Sequence, residues 1–176
     1  HPYIFAAGDA VSVLGENGKE TTVPLAGPAN RQGRSVAQNL LGGSETNGKM
    51  VLGASVVRAF GTVGACVGQN EKQLKRDGTA YRKIYTFPLS HAGYYPGGTP
   101  IAMKLLYDEK GSILGAQAVG SEYVEKQIDV ISTVMKLGGT VHDLAELELC
   151  YAPPFNSAKS PVNMLGFVAE NELSGL

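Results

Sequence analysis

Two stretches near the start of the chain combine glycine, a carboxylate and a turn in ways that suit holding a ligand. Ile4-Phe5-Ala6-Ala7-Gly8-Asp9-Ala10 runs a short apolar segment into Gly-Asp. An Asp at a strand end beside a helix can hydrogen-bond a cofactor hydroxyl, and a Gly there lets a ligand approach the backbone. A buried strand ending in a simple turn accounts for the same residues. The second stretch, Pro24-Leu25-Ala26-Gly27-Pro28-Ala29-Asn30-Arg31-Gln32-Gly33-Arg34, feeds a Pro/Gly turn into a helix. Helix N-termini carry free N–H groups and partial positive charge, which can hold an anion or an electron-rich ring edge. An ordinary helix start is the competing explanation.

Two later clusters are unusual. Ser90-His91-Ala92-Gly93-Tyr94-Tyr95-Pro96-Gly97 concentrates aromatic and glycine residues, and Leu149-Cys150-Tyr151-Ala152-Pro153-Pro154-Phe155-Asn156 sets a cysteine and a tyrosine beside a proline pair. Taken alone, Tyr94 and Tyr95 fit a sheet-edge aromatic pair before a Pro-Gly turn, and Tyr151 fits a packed ring with its hydroxyl at the surface. His91 reads as a turn histidine and His142 as an exposed residue of a first helical turn. With His1 these are the only three histidines, and no metal-binding cluster is expected. Cys66 and Cys150 read as packed thiols.

The elements that must position these residues follow from pattern. Tyr3–Ala7 reads as a buried strand, residues 11–22 as a loop or loose hairpin, and 29–41 as a helix stopped by Gly42-Gly43. Ser44 to Lys49 is polar and reads as the linker between two domains, 1–47 and 48–176. Beyond it, 54–60 and 62–67 read as strands, Asn70 to Gln73 as a capping box opening a helix closed by Gly78, and 81–87 as an alternating strand. Residues 101–107 and 113–119 flank Asp108-Glu109-Lys110-Gly111, a hairpin signal. Ser121 is placed to cap a helix with Val124, Ile128, Ile131 and Met135 on its apolar face. Thr140 caps a shorter helix, and Ser160-Pro161 offers an N-cap and N1 proline for a helix through Glu170. Strands followed by helices mean an α+β fold, an antiparallel sheet with helices on one face.

Composition limits the function. The chain has 176 residues, 43% of them hydrophobic, and a formal net charge of −1. The small net charge argues against a nucleic-acid binder. The basic group Lys72, Lys75, Arg76, Arg82 and Lys83 reads as a solvated face. No apolar run is long enough to span a bilayer. Two cysteines, not in a Cys-x-x-Cys pair, fit a reducing cytosol and a cytoplasmic protein. The chain starts without Met and directly in an apolar run, as expected of a segment of a longer chain.

Together, the Gly8-Asp9 strand end and the Leu25–Ala26 helix start resemble the second flavin-binding motif of the two-dinucleotide-domain disulfide oxidoreductases. The Tyr94 and Tyr151 clusters look like the coenzyme A-disulfide reductase and NADH oxidase branch of that family. The resemblance covers essentially the whole chain, read as a strand-loop-helix fragment of an FAD-binding α/β domain followed by a dimerisation domain. It implies that Asp9 binds the ribityl chain of FAD, that Gly8 permits close approach, and that the backbone at Leu25 and Ala26 faces the flavin pyrimidine edge. It implies NADH or NADPH as electron donor, a homodimer, and coenzyme A disulfide as substrate. Reducing a disulfide expels a thiolate, and a tyrosine hydroxyl can donate to that charge. By resemblance Tyr151 is one of two such tyrosines reaching the partner subunit's site; Tyr94 is the choice for the other, with Tyr95 as the fallback. No His-x-x-x-x-Glu motif and no G-x-G-x-x-G occurs. The first FAD fingerprint, the redox cysteine and the NAD(P)H domain are therefore absent from this sequence. The 176 residues alone are expected to bind FAD weakly or not at all and to lack turnover. The alternatives are an NADH oxidase or peroxidase on the same scaffold, or a non-catalytic dimerisation module.

Overall fold

The structure, a computed structural model, describes residues 3–15, 18–43 and 50–175. It separates into two compact units, His1–Gly53 and Ala54–Leu176. The expected linker, Ser44 to Lys49, and the expected boundary between 47 and 48 lie outside the described residues.

In the first unit the expected strand Tyr3–Ala7 does not form. Its residues join no ladder, Tyr3 and Ile4 are exposed, and Gly8–Ala10 closes into one 3-10 turn. An apolar strand of this kind needs neighbours on both edges to satisfy its N–H and C=O groups, and the described residues of this unit supply none. Residues 11–22 do form a hairpin, though a minimal one: β1 (Val13–Leu14) pairs antiparallel with β2 (Glu20–Thr21). Helix α1 spans Ala26–Leu40, three residues earlier at its start than the pattern implied.

The second unit is built on a five-stranded antiparallel sheet of β3 (Ser55–Ala59), β4 (Thr62–Gly68), β5 (Arg82–Thr86), β6 (Ala102–Tyr107) and β7 (Ile113–Gly120). Their spatial order is β3-β4-β7-β6-β5. Strand alternation sorts the residues by face. Ala65, Ala118, Met103 and Thr86 lie side by side across four strands, and Val67, Ala116, Leu105 and Ile84 form the next row. All eight are buried. Against this face lies α3 (Val124–Lys136), which packs on β4 and β7 through Ile128 and Ile131, both essentially inaccessible. Helix α5 (Pro161–Ser174) packs on β5 and on the short α4 (Val141–Glu146). On the opposite face Ser55, Cys66, Gln117, Lys104 and Tyr85 form one row across all five strands. Glu71, at the start of α2 (Glu71–Asp77), bonds Lys104 and Lys83 there.

Local signals act where they are self-contained. Asn70 and Gln73 make the reciprocal capping box of α2, and Gly78 at φ 66° closes it. Asp108 Oδ1 accepts from the amides of Lys110 and Ser112, both at 2.8 Å, which folds the β6–β7 turn. Thr140 donates its amide and hydroxyl to Asp143 at the start of α4. Ser121, expected to cap α3, does not. Tyr123 occupies that N-cap position at φ 58°, and the Ser121 hydroxyl donates instead to Thr99 Oγ1 at 2.8 Å.

Candidate functional site

Two loops of the second unit meet at a pair of phenols. The first, Ser90–Gly98, leaves the sheet between β5 and β6. Its base is pinned: Ser90 N–H donates to Thr99 O at 2.8 Å, and Thr99 N–H donates back to Ser90 Oγ at 3.1 Å. Ser90 and His91 are buried beneath the loop, so His91 is a packed turn histidine. Its ring meets Tyr95 edge to face, with centroids 5.6 Å apart. Tyr95 makes this ring contact and is 43% exposed, while Tyr94 points outward and is 75% exposed.

The second loop runs from Leu147 to Ser160 and carries Tyr151. One side chain holds both of its ends. Asn163, buried at the start of α5, accepts from the amide (3.1 Å) and hydroxyl (2.7 Å) of Ser160, and its Nδ2 donates to the carbonyls of Leu144, Ala145 and Leu147. The last carbonyls of α4, which have no partner within their own helix, are satisfied this way.

The loops are joined by backbone. Ala92 N–H donates to Asn156 O at 3.0 Å and to Pro153 O at 3.3 Å. Above this seam the hydroxyls of Tyr94 and Tyr151 hydrogen-bond each other. The bond to Tyr151, with partial burial second, raises the Tyr94 pKa above its ordinary 10.0. A weaker acid stays protonated at neutral pH, so Tyr94 presents an O–H group rather than a phenolate. Tyr151 is 47% exposed, so the pair faces outward from this unit.

Cys150 was expected to be packed and is exposed instead, lying in an irregular stretch that no helix or strand holds against the core; Cys66 is half-buried, 3.3 Å from the Ser55 hydroxyl. His142 is solvent-facing and bonds Glu170 Oε1 at 2.7 Å. Among the described residues no group of His, Cys, Asp and Glu is arranged to hold a metal ion, and no helix is long and apolar enough to cross a membrane.

In the first unit, Gly8 takes φ 84°, a left-handed conformation open to glycine, and its N–H donates to Gln32 Oε1 of α1 at 2.6 Å. That bond docks the 3-10 turn on the helix and leaves the neighbouring Asp9 carboxylate exposed. Leu25 is the N-cap of α1, extended at φ −131°, with no side chain closing the first turn and no acid within it. The early amides of the helix are therefore available, apart from Pro28, which has none.

Sequence reasoning missed Asn156 and the side-chain network around Glu71. The Glu71 network joins segments far apart in the chain, and Asn156 bonds within an irregular loop and across to Ala92; periodicity reveals neither. Asn163 left a partial signal, since Ser160-Pro161-Val162-Asn163 has capping-box spacing.

Residues 60–161 match the pyridine nucleotide-disulphide oxidoreductase dimerisation domain. The chain is 37% identical over 171 residues to the coenzyme A disulfide reductase of Staphylococcus aureus, spanning 96% of this chain and 39% of that protein. Among solved structures it is similar to reduced CoADR-RHD of Bacillus anthracis, at 46% identity and a TM-score of 0.95, over 99% of this chain and 32% of that one. It is also similar to the NAD-dependent persulfide reductase of A. fulgidus, at 35% identity and a TM-score of 0.93, over 98% of this chain and 32% of that one. The chain thus spans well under half the length of these relatives. On the match across most of the sheet and both tyrosine loops, the chain belongs to the pyridine nucleotide-disulphide oxidoreductase family and carries its dimerisation domain.

Proposed function

We propose that the chain is the C-terminal portion of an FAD-dependent NAD(P)H:disulfide oxidoreductase acting on coenzyme A disulfide, and that Tyr94 and Tyr151 form its proton-donating surface. The observation that carries this reading is the hydrogen bond between the two phenols, brought together from loops 57 residues apart. Cleaving a disulfide leaves one sulfur with the electron pair of the broken bond. A phenol O–H directed at that sulfur stabilises the thiolate and can protonate it. With Tyr94 donating to Tyr151, the Tyr151 proton is free to face a ligand. The pair lies at the surface of a dimerisation domain, which supports a C2 homodimer in which each copy presents its phenols to the other's site.

The residues near Gly8 fit a flavin. Asp9 offers an exposed carboxylate for a ribityl hydroxyl, Gly8 leaves room for close approach, and of the Leu25–Ala26 backbone it is the Ala26 N–H that is uncapped, the Leu25 N–H being taken by Val23 O at 2.8 Å. When bound, FAD supplies the passage of reducing equivalents from NADH or NADPH to sulfur.

The test is turnover of the full-length flavoenzyme that carries this chain. Tyr151→Phe and Tyr94→Phe should each lower kcat with coenzyme A disulfide by about 100-fold, the usual worth of a positioned proton donor. Wild-type kcat/KM in both variants overturns the role of the phenols. Oxygen uptake without disulfide turnover in the wild type replaces the substrate with oxygen, as in an NADH oxidase, and a dimeric protein inactive with either acceptor indicates a dimerisation module alone.

A further inference from the structure

We infer that Asn156 is a positioning residue that sets the spacing of the Tyr94 and Tyr151 hydroxyls. This rests on the reading of the phenol pair given above and adds the device that aligns it.

Asn156 is 2% exposed, and each of its polar groups is engaged. Its Nδ2 donates to the carbonyl of Cys150, the residue before Tyr151, at 3.1 Å. Its Oδ1 accepts from Ser157 N–H at 2.9 Å, and its own N–H donates to Ala152 O at 3.1 Å. Its carbonyl accepts from Ala92 N–H, two residues before Tyr94, at 3.0 Å. One residue therefore holds the peptide that precedes one phenol and the strand of loop that precedes the other. Each hydroxyl sits at the end of a stiff ring, so a shift of either backbone is carried to the oxygen. Hydrogen bonds weaken steeply once distance or angle departs from the optimum. A small slip between the loops is enough to part the pair.

A residue that only glued the loops together would be harder to separate from the fold. Here a second tie exists, since Ala92 N–H also reaches Pro153 O at 3.3 Å. The loops stay adjacent without the Asn156 side chain, and what the side chain adds is the fixed closure of the turn from Cys150 to Asn156. Asn156→Asp keeps the shape but turns an acceptor oxygen toward the Cys150 carbonyl, where a donor is needed. Asn156→Ala removes both side-chain bonds.

The experiment follows the tyrosine titrations in the full-length flavoenzyme carrying this chain, by carbon-13 NMR of protein labelled at tyrosine Cζ. Tyr94→Phe and Tyr151→Phe identify the two resonances. In the wild type Tyr94 should titrate above the ordinary tyrosine range, and in Tyr151→Phe most of that displacement should be lost. Asn156→Ala and Asn156→Asp should each lose it to a similar extent while unfolding cooperatively on heating. Retention of the displacement in a folded Asn156 variant overturns the inference. So does a Tyr151→Phe protein in which Tyr94 is unmoved, or failure of both Asn156 variants to fold, since the residue then serves the fold and not the spacing. The two readings fail separately. Loss of the Tyr94 displacement with turnover intact removes the proton-donor role and leaves the positioning role standing.

Discussion

The buried phenol of Tyr107 donates to Glu172 Oε2 at 2.7 Å, joining β6 in the interior of the sheet to the last turn of α5. Arg82 braces the same helix end, donating to Glu172 O at 3.2 Å while pairing with Glu109 at 2.8 Å. Burial first, and the Glu172 carboxylate second, push the Tyr107 phenol well above its ordinary acidity range. Tyr107→Phe deletes one hydrogen bond to a charged acceptor that can rehydrate at the surface. The expected loss is about 1 kcal/mol, read as a lower urea midpoint with an unchanged slope. Glu172→Gln keeps an acceptor and should cost less; an equal or larger loss would show that the 3.9 Å ion pair of the Glu172 carboxylate with Arg82, not the phenol, is the main contribution.

Acid should act on Glu71. Its carboxylate takes bonds from Lys104, from Tyr81 at 2.8 Å and from Lys83 at 3.1 Å. These hold its pKa at about 2 against an ordinary 4.5, the Lys104 bond contributing most. A carboxyl depressed by folding contributes stability that is fully present above 4.5 and is lost as pH falls toward about 2. The difference in urea midpoint between wild type and Glu71→Gln should be widest at neutral pH and should close across that window. A difference that stays constant with pH would rule out the charge as its source.

Gly166 tests which of two opposed effects wins. Ala in place of Gly inside a helix is favoured by about 1 kcal/mol on propensity alone. A Cβ at Gly166, however, would lie 2.3 Å from Ala145 N and 2.7 Å from Ala145 Cα, both backbone atoms of α4 that cannot swing aside. Gly166→Ala should therefore destabilise by about 2 kcal/mol net, the scale of a core overpacked by one methyl. A thermal midpoint at or above that of wild type would mean that α4 and α5 separate more easily than this contact implies.

Phe60 should respond in the opposite direction. It sits at φ 53°, at the first tip position of the β3–β4 hairpin, with its ring fully exposed. The left-handed conformation costs a non-glycine residue roughly 1–2 kcal/mol. Asn tolerates it better than a bulky aromatic residue does, because its short polar side chain can hydrogen-bond locally. Phe60→Asn should raise stability of this chain by about 1 kcal/mol in urea unfolding; a fall would show that the ring makes contacts worth more than the strain.

What the sequence revealed follows the range of the interactions involved. Asn70 with Gln73, Asp108 with its following amides, and Ser160-Pro161 act within a few residues, and each could be read directly. The order of strands and helices followed from periodicity, and with it the α+β sheet. Tyr3–Ala7 has the composition of a central strand, but a strand is completed by its neighbours, and none pairs with it among the described residues. Ser121 has capping chemistry, but Thr99 competes for its hydroxyl from another loop. Resemblance placed Tyr151 and left Tyr94 and Tyr95 open. The hydroxyl contact with Tyr151 is made by Tyr94, while the His91 ring meets Tyr95. Asn156 carried no periodic signal, since it lies in an irregular loop whose internal closure to Cys150, and whose contact with Ala92, no repeat of the sequence announces.

Asn163 fastens the entry and exit of the Tyr151 loop to one another, so that segment behaves as a noose of fixed mouth. Residues added to or removed from its middle would change how far it projects without moving α4 or α5. The reach of Tyr151 is in this sense adjustable independently of the scaffold, and related chains could tune it to ligands of different bulk by altering loop length alone.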